Sequence, residues 1–421
     1  MKFNIGKTFL LGFGFFGVSV IWSVYNAYVP VFLEERFNLA AGFIGIFMTL
    51  DNIAALFIQP AVGAWSDSIK TRIGRRLPFI LVGAPIAALA FLAIPKAPGM
   101  LLFFAAATVL LLSMAIWRTP VVALMPDITP SDKRSQANGI INLMGGLGAI
   151  IAFIIGASLY EKDPSYPFYL GAGLVVAAAL LVLTFIREPK DVFEKIEKKP
   201  NFWSSLNTVL KTKDKNELRV LLAIFFWFIA YNGIEAFFTL YSVNYLGMGA
   251  ADGARLLGVL SLFFVLGSIP AGIIGGKIGR RRTIMIGIVG MMLGVGLIFL
   301  LPKALLTTVL FTLPMLKGIP WIGIILMWLG LTWACININS LPMVVDMTDD
   351  VHIGTFTGLY YFFSTMAAIG GPIIYGWMVH LTHNRYDLIM MVSPIFLVLA
   401  FVSIIGVRRG EAKKAPQPQE G

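Results

Sequence analysis

The chain has 421 residues, of which 58% are hydrophobic and only 13% are charged. A water-soluble protein of this length carries roughly a quarter of charged residues, so the composition excludes an ordinary soluble domain. The net charge of +11 does not indicate a nucleic-acid-binding face, because the basic residues are dispersed among short segments between apolar runs.

Apolar runs of about 18 residues or more recur along the whole chain, and each can cross the hydrocarbon core of a bilayer as a helix. The short alternating segments of a membrane β-barrel do not occur in this pattern. The sequence therefore predicts an all-α membrane protein with twelve transmembrane helices. We place them at 9–33, 43–65, 77–95, 100–125, 138–159, 168–187, 219–246, 255–276, 283–302, 320–343, 355–380 and 388–407.

Most of the 33 Lys and Arg residues fall in the amino-terminal segment, alternate short loops, a polar middle stretch and the carboxy-terminal tail. Because basic residues are retained on the cytoplasmic side, this asymmetry predicts a multi-pass protein of the cell (inner or plasma) membrane with both termini in the cytoplasm.

The polar stretch 188–218 divides the chain into two sets of six helices, at 1–187 and 219–409, before a polar tail at 410–421. Apolar residues recur at helical spacing between Phe202 and Leu210, which favours a short helix lying on the inner leaflet.

The two halves repeat one feature, a short basic loop between their second and third helices. The first loop runs from Gly63 to Arg76 and the second from Gly272 to Arg282. This repetition is typical of a duplicated six-helix unit, so we expect two pseudo-symmetric bundles related by an axis along the membrane normal.

The first loop resembles the signature of the major facilitator superfamily, a Gly, an Asp and then Arg-x-Gly-Arg-Arg. The matching positions here are Gly63, Asp67, Arg72, Gly74, Arg75 and Arg76. With Pro78-Phe79 behind it, the loop is similar to that of the glycoside–pentoside–hexuronide cation symporters and the related sucrose transporters. The segments 120–138 and 354–359 agree. The resemblance implies the major facilitator fold and secondary active transport by alternating access.

Three ionisable residues lie at membrane depth in the predicted helices: Asp51, Arg118 and Glu235. Burying a charge there costs roughly 2.5–3.5 kcal/mol on insertion scales, so each is a candidate for proton coupling. The alternative for each is a structural ion pair or a position near the water boundary.

The resemblance also shows two departures. Members of the symporter family carry cation-binding carboxylates where this chain has Ala55 and Gln59, and a sugar-binding aspartate where it has Arg118. A lone carboxylate at Asp51 suits a proton better than sodium, which needs several converging oxygens. We therefore expect Asp51 and Arg118 to form a pair that protonation loosens.

Aromatic and amide residues cluster on the predicted helices that line a facilitator cavity. These candidate substrate-binding residues are Trp22, Tyr25, Asn26, Asn52, Trp117, Tyr231, Asn232, Trp333, Asn337, Asn339, Tyr360 and Tyr361. Ring stacking and amide hydrogen bonds are how proteins hold hydroxyl-rich solutes in pockets. The alternative is interhelical packing, which uses the same residue types.

The resembled superfamily uses its loop signature to close the cytoplasmic side. The candidate gate residues are Gly63, Asp67, Arg72, Gly74, Arg75, Arg76, Asp127, Arg134, Arg280, Arg281 and Asp346. Asp67 is expected at a helix N-terminus, where the macrodipole favours a carboxylate. The alternative is that the arginines serve only as topogenic charge.

These features predict a proton-coupled symporter of a sugar, either a disaccharide or a glycoside, that functions as a monomer in the lipid bilayer. The alternatives are a drug or metabolite exporter, a lysolipid carrier and a non-transporting sensor or scaffold. No Walker-type Gly-rich phosphate loop (Gly-x-x-x-x-Gly-Lys-Ser/Thr) and no metal-spaced Cys/His cluster occurs, so we expect no nucleotide cofactor, no metal and no enzymatic activity.

Overall fold

The computed structural model describes residues 4–69, 71–130, 133–188, 215–313, 316–347, 353–408 and 410. Within them, twelve helices are long and apolar enough to cross a membrane, which confirms the predicted number. The helix expected between Phe202 and Leu210 and the tail from residue 411 onward lie outside the described residues.

The first half contains six spans. They are formed by α1 (Ile5–Glu35), α2 and α3 (Ala41–Phe47 and Leu50–Ser68), α4 (Leu77–Ala93), α5 (Met100–Ile128), α6 (Arg134–Tyr160) and α7 (Tyr166–Phe185). The second predicted helix is thus two helical pieces separated at Met48 and Thr49.

The second half contains six spans and a small hairpin. The elements are α8 (Asn216–Tyr241), α9 (Ala250–Ile278), α10 (Arg280–Leu300), the short α11 (Lys303–Thr307), β1 (Val309–Leu313), β2 (Lys317–Pro320), α12 (Trp321–Val345), α13 (Ile353–Leu381) and α14 (Leu388–Ile405).

The two halves pack by the same scheme. In the amino-terminal bundle, α1 packs against α6 and α7, and α4 packs against α5 and α7. In the carboxy-terminal bundle, the equivalent α8 packs against α13 and α14, and α10 packs against α12 and α14. This repetition confirms the predicted pair of pseudo-symmetric six-helix bundles.

Among the described residues, the main contacts between the bundles join α2 to α13, α6 to α9 and α1 to α8. Small residues allow close approach there: a side chain at Gly45 would begin 2.3 Å from the carbonyl oxygen of Pro372.

Hydrogen bonds between the bundles concentrate at one end of the molecule. We call the end where α1 begins and α14 ends the terminal face, and the other end the opposite face. At the opposite face, hydrogen bonds between the bundles join Glu161 to Arg255 and Lys317, and Glu34 to Asn244 and Tyr386. The structure is therefore closed at the opposite face.

The hairpin formed by β1 and β2 was not predicted. Its strands pair antiparallel with an irregularity between Val309 and Phe311. They lie between the predicted helices 283–302 and 320–343. A run of β-branched and apolar residues from Thr307 to Leu313, followed by Gly318, is the signal that could have indicated it.

Glycines decide how closely α10 approaches α12. A side chain at Gly287 would begin 2.7 Å from the backbone oxygen of Thr332, whereas a side chain at Gly296, on the same helix, would meet nothing within 4 Å. Backbone cannot move aside as a flexible side chain can, so only the first position is intolerant.

We therefore expect Gly287→Val to destabilise the protein by about 1–3 kcal/mol through overpacking. Gly296→Val is the matched control, since both substitutions place a β-branched residue in α10. Thermal unfolding of the detergent-purified variants measures the effect, and equal melting temperatures would contradict this account of the packing.

Candidate transport site

The Asp51 carboxylate lies in the first turn of α3 and is half-buried. The side-chain amide of the neighbouring Asn52 donates a hydrogen bond of 2.9 Å to it. This bond gives the carboxylate a hydrogen-bond donor, which lowers the cost of placing its charge at membrane depth.

Arg118 of α5 faces Asp51 at longer range than expected. The two charges interact electrostatically, but among the described residues no nitrogen–oxygen contact within 4.0 Å joins them. The predicted direct ion pair is therefore absent from this conformation. Arg118 also interacts electrostatically with Tyr361 of α13, so it lies where the two bundles meet.

Glu235 of α8 connects the two bundles. Its half-buried carboxyl group lies close enough to interact with the side chain of Asn26 on α1 and, electrostatically, with Asp51 on α3. Asn26 and Asp51 belong to the amino-terminal bundle and Glu235 to the carboxy-terminal one. The structure thus brings together these three predicted site residues at the bundle boundary.

A mostly apolar cavity extends from Glu235 into the carboxy-terminal bundle. Two of the predicted aromatic residues, Tyr231 and Trp333, line it. Their rings stack with centroids 4.0 Å apart and planes inclined by 6°. The complete lining is Phe153, Tyr231, Ile234, Glu235, Phe238, Leu257, Leu260, Ser261, Met291, Val295, Ile298, Leu326, Leu329, Trp333 and Met390. The sequence did not identify the apolar lining residues, because their pattern is the same as that of residues packed between helices.

Several predicted substrate-binding residues are occupied by packing. Asn339 is 3% exposed, and its amide donates to the backbone oxygens of Ala271 and Cys335. Trp117 is fully buried beside Met114. The hydroxyl groups of Tyr360 and Ser340 bond to each other at 3.0 Å in the interior. For these positions the structure favours the packing alternative.

The remaining predicted cavity residues differ in their surroundings. Trp22 and Tyr25 pack edge to face, and the indole nitrogen of one and the hydroxyl of the other have no partner among the described residues. The Asn232 amide donates to the backbone of its own helix. Asn337 is half-buried and Tyr361 is exposed.

Arginines at the terminal face form ion pairs within each bundle. In the amino-terminal bundle, Arg76 pairs with Asp67 at 2.6 Å and with Asp127 at 3.1 Å, and Arg75 pairs with Asp127 at 2.8 Å. In the carboxy-terminal bundle, Arg280 pairs with Asp346. These ion pairs therefore join members of the candidate gate set to one another.

Among the described residues, none of the ion pairs at this face joins one bundle to the other. Each of these ion pairs joins residues of one bundle, and Arg281 bonds to the backbone oxygen of Ile405 in its own bundle. Arg72 is exposed, Gly63 lies near Thr119, and the Arg134 side chain is outside the described part of the chain. The predicted gate role stays a prediction.

The sequence matches the family model of the Major Facilitator Superfamily over residues 11–319. The chain belongs to this superfamily. Its solved structural neighbours share the fold: the nucleoside transporter NupG, at a TM-score of 0.74, 15% identity and coverage of 96% of this chain and 100% of that one. A bacterial Spinster homologue in an inward-facing and occupied conformation gives a TM-score of 0.71 at 14% identity, over 97% and 98% of the two chains.

Curated relatives of this facilitator carry different solutes. It is 27% identical over 277 residues to the tetracycline resistance protein, class B, of Escherichia coli, over 65% of this chain and 66% of that protein. It is 25% identical over 198 residues to the sucrose transport protein SUC3 of Arabidopsis thaliana, over 40% and 33%. The isoprimeverose transporter of Lactiplantibacillus pentosus is 24% identical over 290 residues, over 65% and 59%. The matches thus span less than two thirds of each relative.

Glu188, which follows α7, contacts the facilitator loop and was not among the residues predicted from the sequence. Its carboxylate accepts hydrogen bonds of 2.7–2.8 Å from the backbone amides of Arg75, Arg76 and Leu77, where α4 begins. Asp67, expected at a helix N-terminus, lies instead in the last turn of α3. The carboxylate that the α4 macrodipole favours is therefore Glu188.

Gly74 makes room for this cap. Its φ angle is +125°, and a side chain there would begin 2.5 Å from the Glu188 carboxylate. Both the positive φ angle and the close approach of Glu188 require glycine at this position. This glycine of the signature therefore lets the loop contact the end of the amino-terminal bundle.

We expect Glu188→Ala to free these three amides, with hydrogen exchange at residues 75–77 faster on the order of tenfold, the loss typical of a helix cap. Glu188→Gln keeps an acceptor and should give a smaller change. Hydrogen exchange followed by mass spectrometry measures this, with the interior of α4 as internal control. Unchanged exchange in Glu188→Ala would show that the cap is unimportant.

Proposed function

We propose that this facilitator is a proton-coupled sugar symporter, taking up a disaccharide or a glycoside by alternating access. The observation that carries the proposal is the contact of Glu235 with Asn26 across the bundle boundary, beside the charge of Asp51. Coupling requires that an ionisable group sense bundle movement, and a contact shared by the two bundles does so.

The physical basis of coupling is the cost of charge in a closed chamber. When the bundles enclose Glu235 and Asp51 together, two like charges and little water make the doubly ionised state unfavourable. Protonating one carboxyl group relieves this repulsion, so a proton accompanies each crossing. Arg118, near Asp51 without a direct ion pair, moderates its charge without neutralising the site.

A hydroxyl-rich solute is favoured by the polar residues at the boundary. Asn26, Asn52 and Arg118 are half-buried and supply hydrogen-bond donors beside the carboxylates. Sugar transporters are among the relatives, including the proton-associated sugar transporter A of Mus musculus, 29% identical over 185 residues. These observations support the sugar over a peptide or an inorganic ion.

A second candidate is proton-coupled export of a lipophilic solute. The cavity beyond Glu235 supports it, because apart from Glu235, Tyr231, Ser261 and Trp333 its lining is entirely hydrophobic. The tetracycline resistance protein is also among the relatives. An exporter would bind its solute in this apolar cavity, whereas a sugar would bind at the polar boundary.

Counterflow in proteoliposomes separates the two candidates. We expect preloaded, unlabelled sucrose, maltose or isoprimeverose to drive uptake of the labelled sugar with or without a protonophore. In vesicles without preloaded sugar, an imposed proton gradient should drive accumulation of the labelled sugar, and a protonophore should abolish it. Exchange of tetracycline with no sugar exchanged at any pH would favour the exporter and overturn the proposal.

Substitution of the carboxylates tests the coupling. Asp51→Asn and Glu235→Gln should each reduce uphill accumulation to an internal-to-external ratio of about one, while counterflow persists. Asp163→Asn, at a half-buried loop carboxylate of the opposite face, is the matched control and should transport normally. Normal accumulation by both site variants would exclude them as proton carriers.

We further propose that the terminal face is cytoplasmic, since its loops carry most of the Lys and Arg residues. In a Cys335→Ser background, Ile73→Cys at this face should react with a membrane-impermeant maleimide only in inside-out vesicles. Pro98→Cys at the opposite face should react in intact cells. The reverse pattern would invert the orientation.

A further inference from the structure

The β1–β2 hairpin extends from the carboxy-terminal bundle to the amino-terminal one. Lys317, the first residue of β2, places its ammonium nitrogen 2.6 Å from both carboxylate oxygens of Glu161, just beyond the end of α6. Ile319 anchors the strand, since it is 2% exposed and packs where α12 begins, beside Gly323. The hairpin is therefore fixed to one bundle while its lysine binds the other.

Glu161 receives a second cation from the same bundle. Arg255 of α9 is 3% exposed and donates to Glu161 at 2.5 Å and to Asp252, on its own helix, at 2.7 Å. Asp252 moves with Arg255, so the buried guanidinium keeps one partner if Glu161 departs. A buried charge stripped of every partner would cost several kcal/mol, and this arrangement avoids that cost.

We propose that the hairpin is a latch for the opposite face: Glu161 is the movable element, clasped between Lys317 and Arg255 when the face is closed and released when it opens. This proposal rests on the alternating access proposed above. The ion pairs join α6 to α9, the same helices that pack closely where Gly258 meets Phe153 and Ile154, so those helices separate only if the clasp opens.

The latch is not the proton-sensing element. Burial raises the pKa of the Glu161 carboxyl, but hydrogen bonds from Lys317 and Arg255 outweigh burial and hold the pKa below its usual value of 4.5. A lowered pKa keeps the carboxylate ionised as the pH falls through mild acid, and the ion pairs are lost only when the pH falls through that lowered value. The groups facing Glu161 are Lys317 and Arg255, with Asp252 behind Arg255.

Electron spin resonance distances test the latch without any solute or coupling ion. In a Cys335→Ser background, spin labels at Pro98→Cys and Lys303→Cys report the separation of the bundles at the opposite face. We expect Lys317→Gln to raise the ratio of open to closed distances roughly fivefold, as for a favourable exposed ion pair. Glu161→Gln, which also weakens the Arg255 contact, should raise it more.

Asp387→Asn is the matched control, because it breaks an ion pair with Arg385 at the same face but within one bundle. Its distance distribution should equal that of the labelled parent. If Glu161→Gln and Lys317→Gln also leave the distribution unchanged, the latch is refuted, whatever the solute proves to be.

Discussion

In the hydrocarbon core of a membrane, a charge that has neither a partner nor water is energetically costly, and this cost constrains the whole structure. That cost explains where the charged residues lie. At the terminal face, Arg75 and Arg76 share Asp67 and Asp127 within one bundle. At membrane depth, Asp51, Arg118 and Glu235 all lie at the bundle boundary rather than toward lipid. A charge at that boundary can exchange partners when the bundles move, which a charge inside a bundle cannot.

The two faces differ in what holds them. Two clusters of contacts at the opposite face cross between the bundles. In both, the acceptor belongs to the amino-terminal bundle and the donors to the carboxy-terminal one: Glu161 accepts from two cations, and Glu34 from Asn244 and Tyr386. Both carboxylates lie near the ends of helices that pack at the boundary. Glycines such as Gly45 and Gly258 allow the two bundles to pack closely. The hydrogen bonds add specific polar contacts to this interface.

The sequence predicted the fold because its strongest signal, helix-length apolar runs, reports the same constraint that fixes membrane architecture. It placed Arg75, Arg76 and Asp127 in one candidate gate set because the loop signature and the segment 120–138 both resemble the same family. It could not predict Glu188 as the α4 cap, since that contact joins residues more than a hundred positions apart. It also could not separate Asn339, which packs on α9, from Asn26, which faces Glu235, because an amide on an apolar helix has the same pattern in either place.

The arrangement of the site limits how coupling can occur. Tyr231 and Trp333 both belong to the carboxy-terminal bundle, and their stacking at 4.0 Å is preserved when that bundle moves as a unit. The contact of Glu235 with Asn26 joins different bundles, so a rocking motion must alter it. A solute held mainly by the cavity would therefore move with the carboxy-terminal bundle. The contact between Glu235 and Asn26 would instead break and re-form each time the bundles rock. Coupling then resides in the contact between bundles, and the aromatic pair contributes selectivity without sensing the proton.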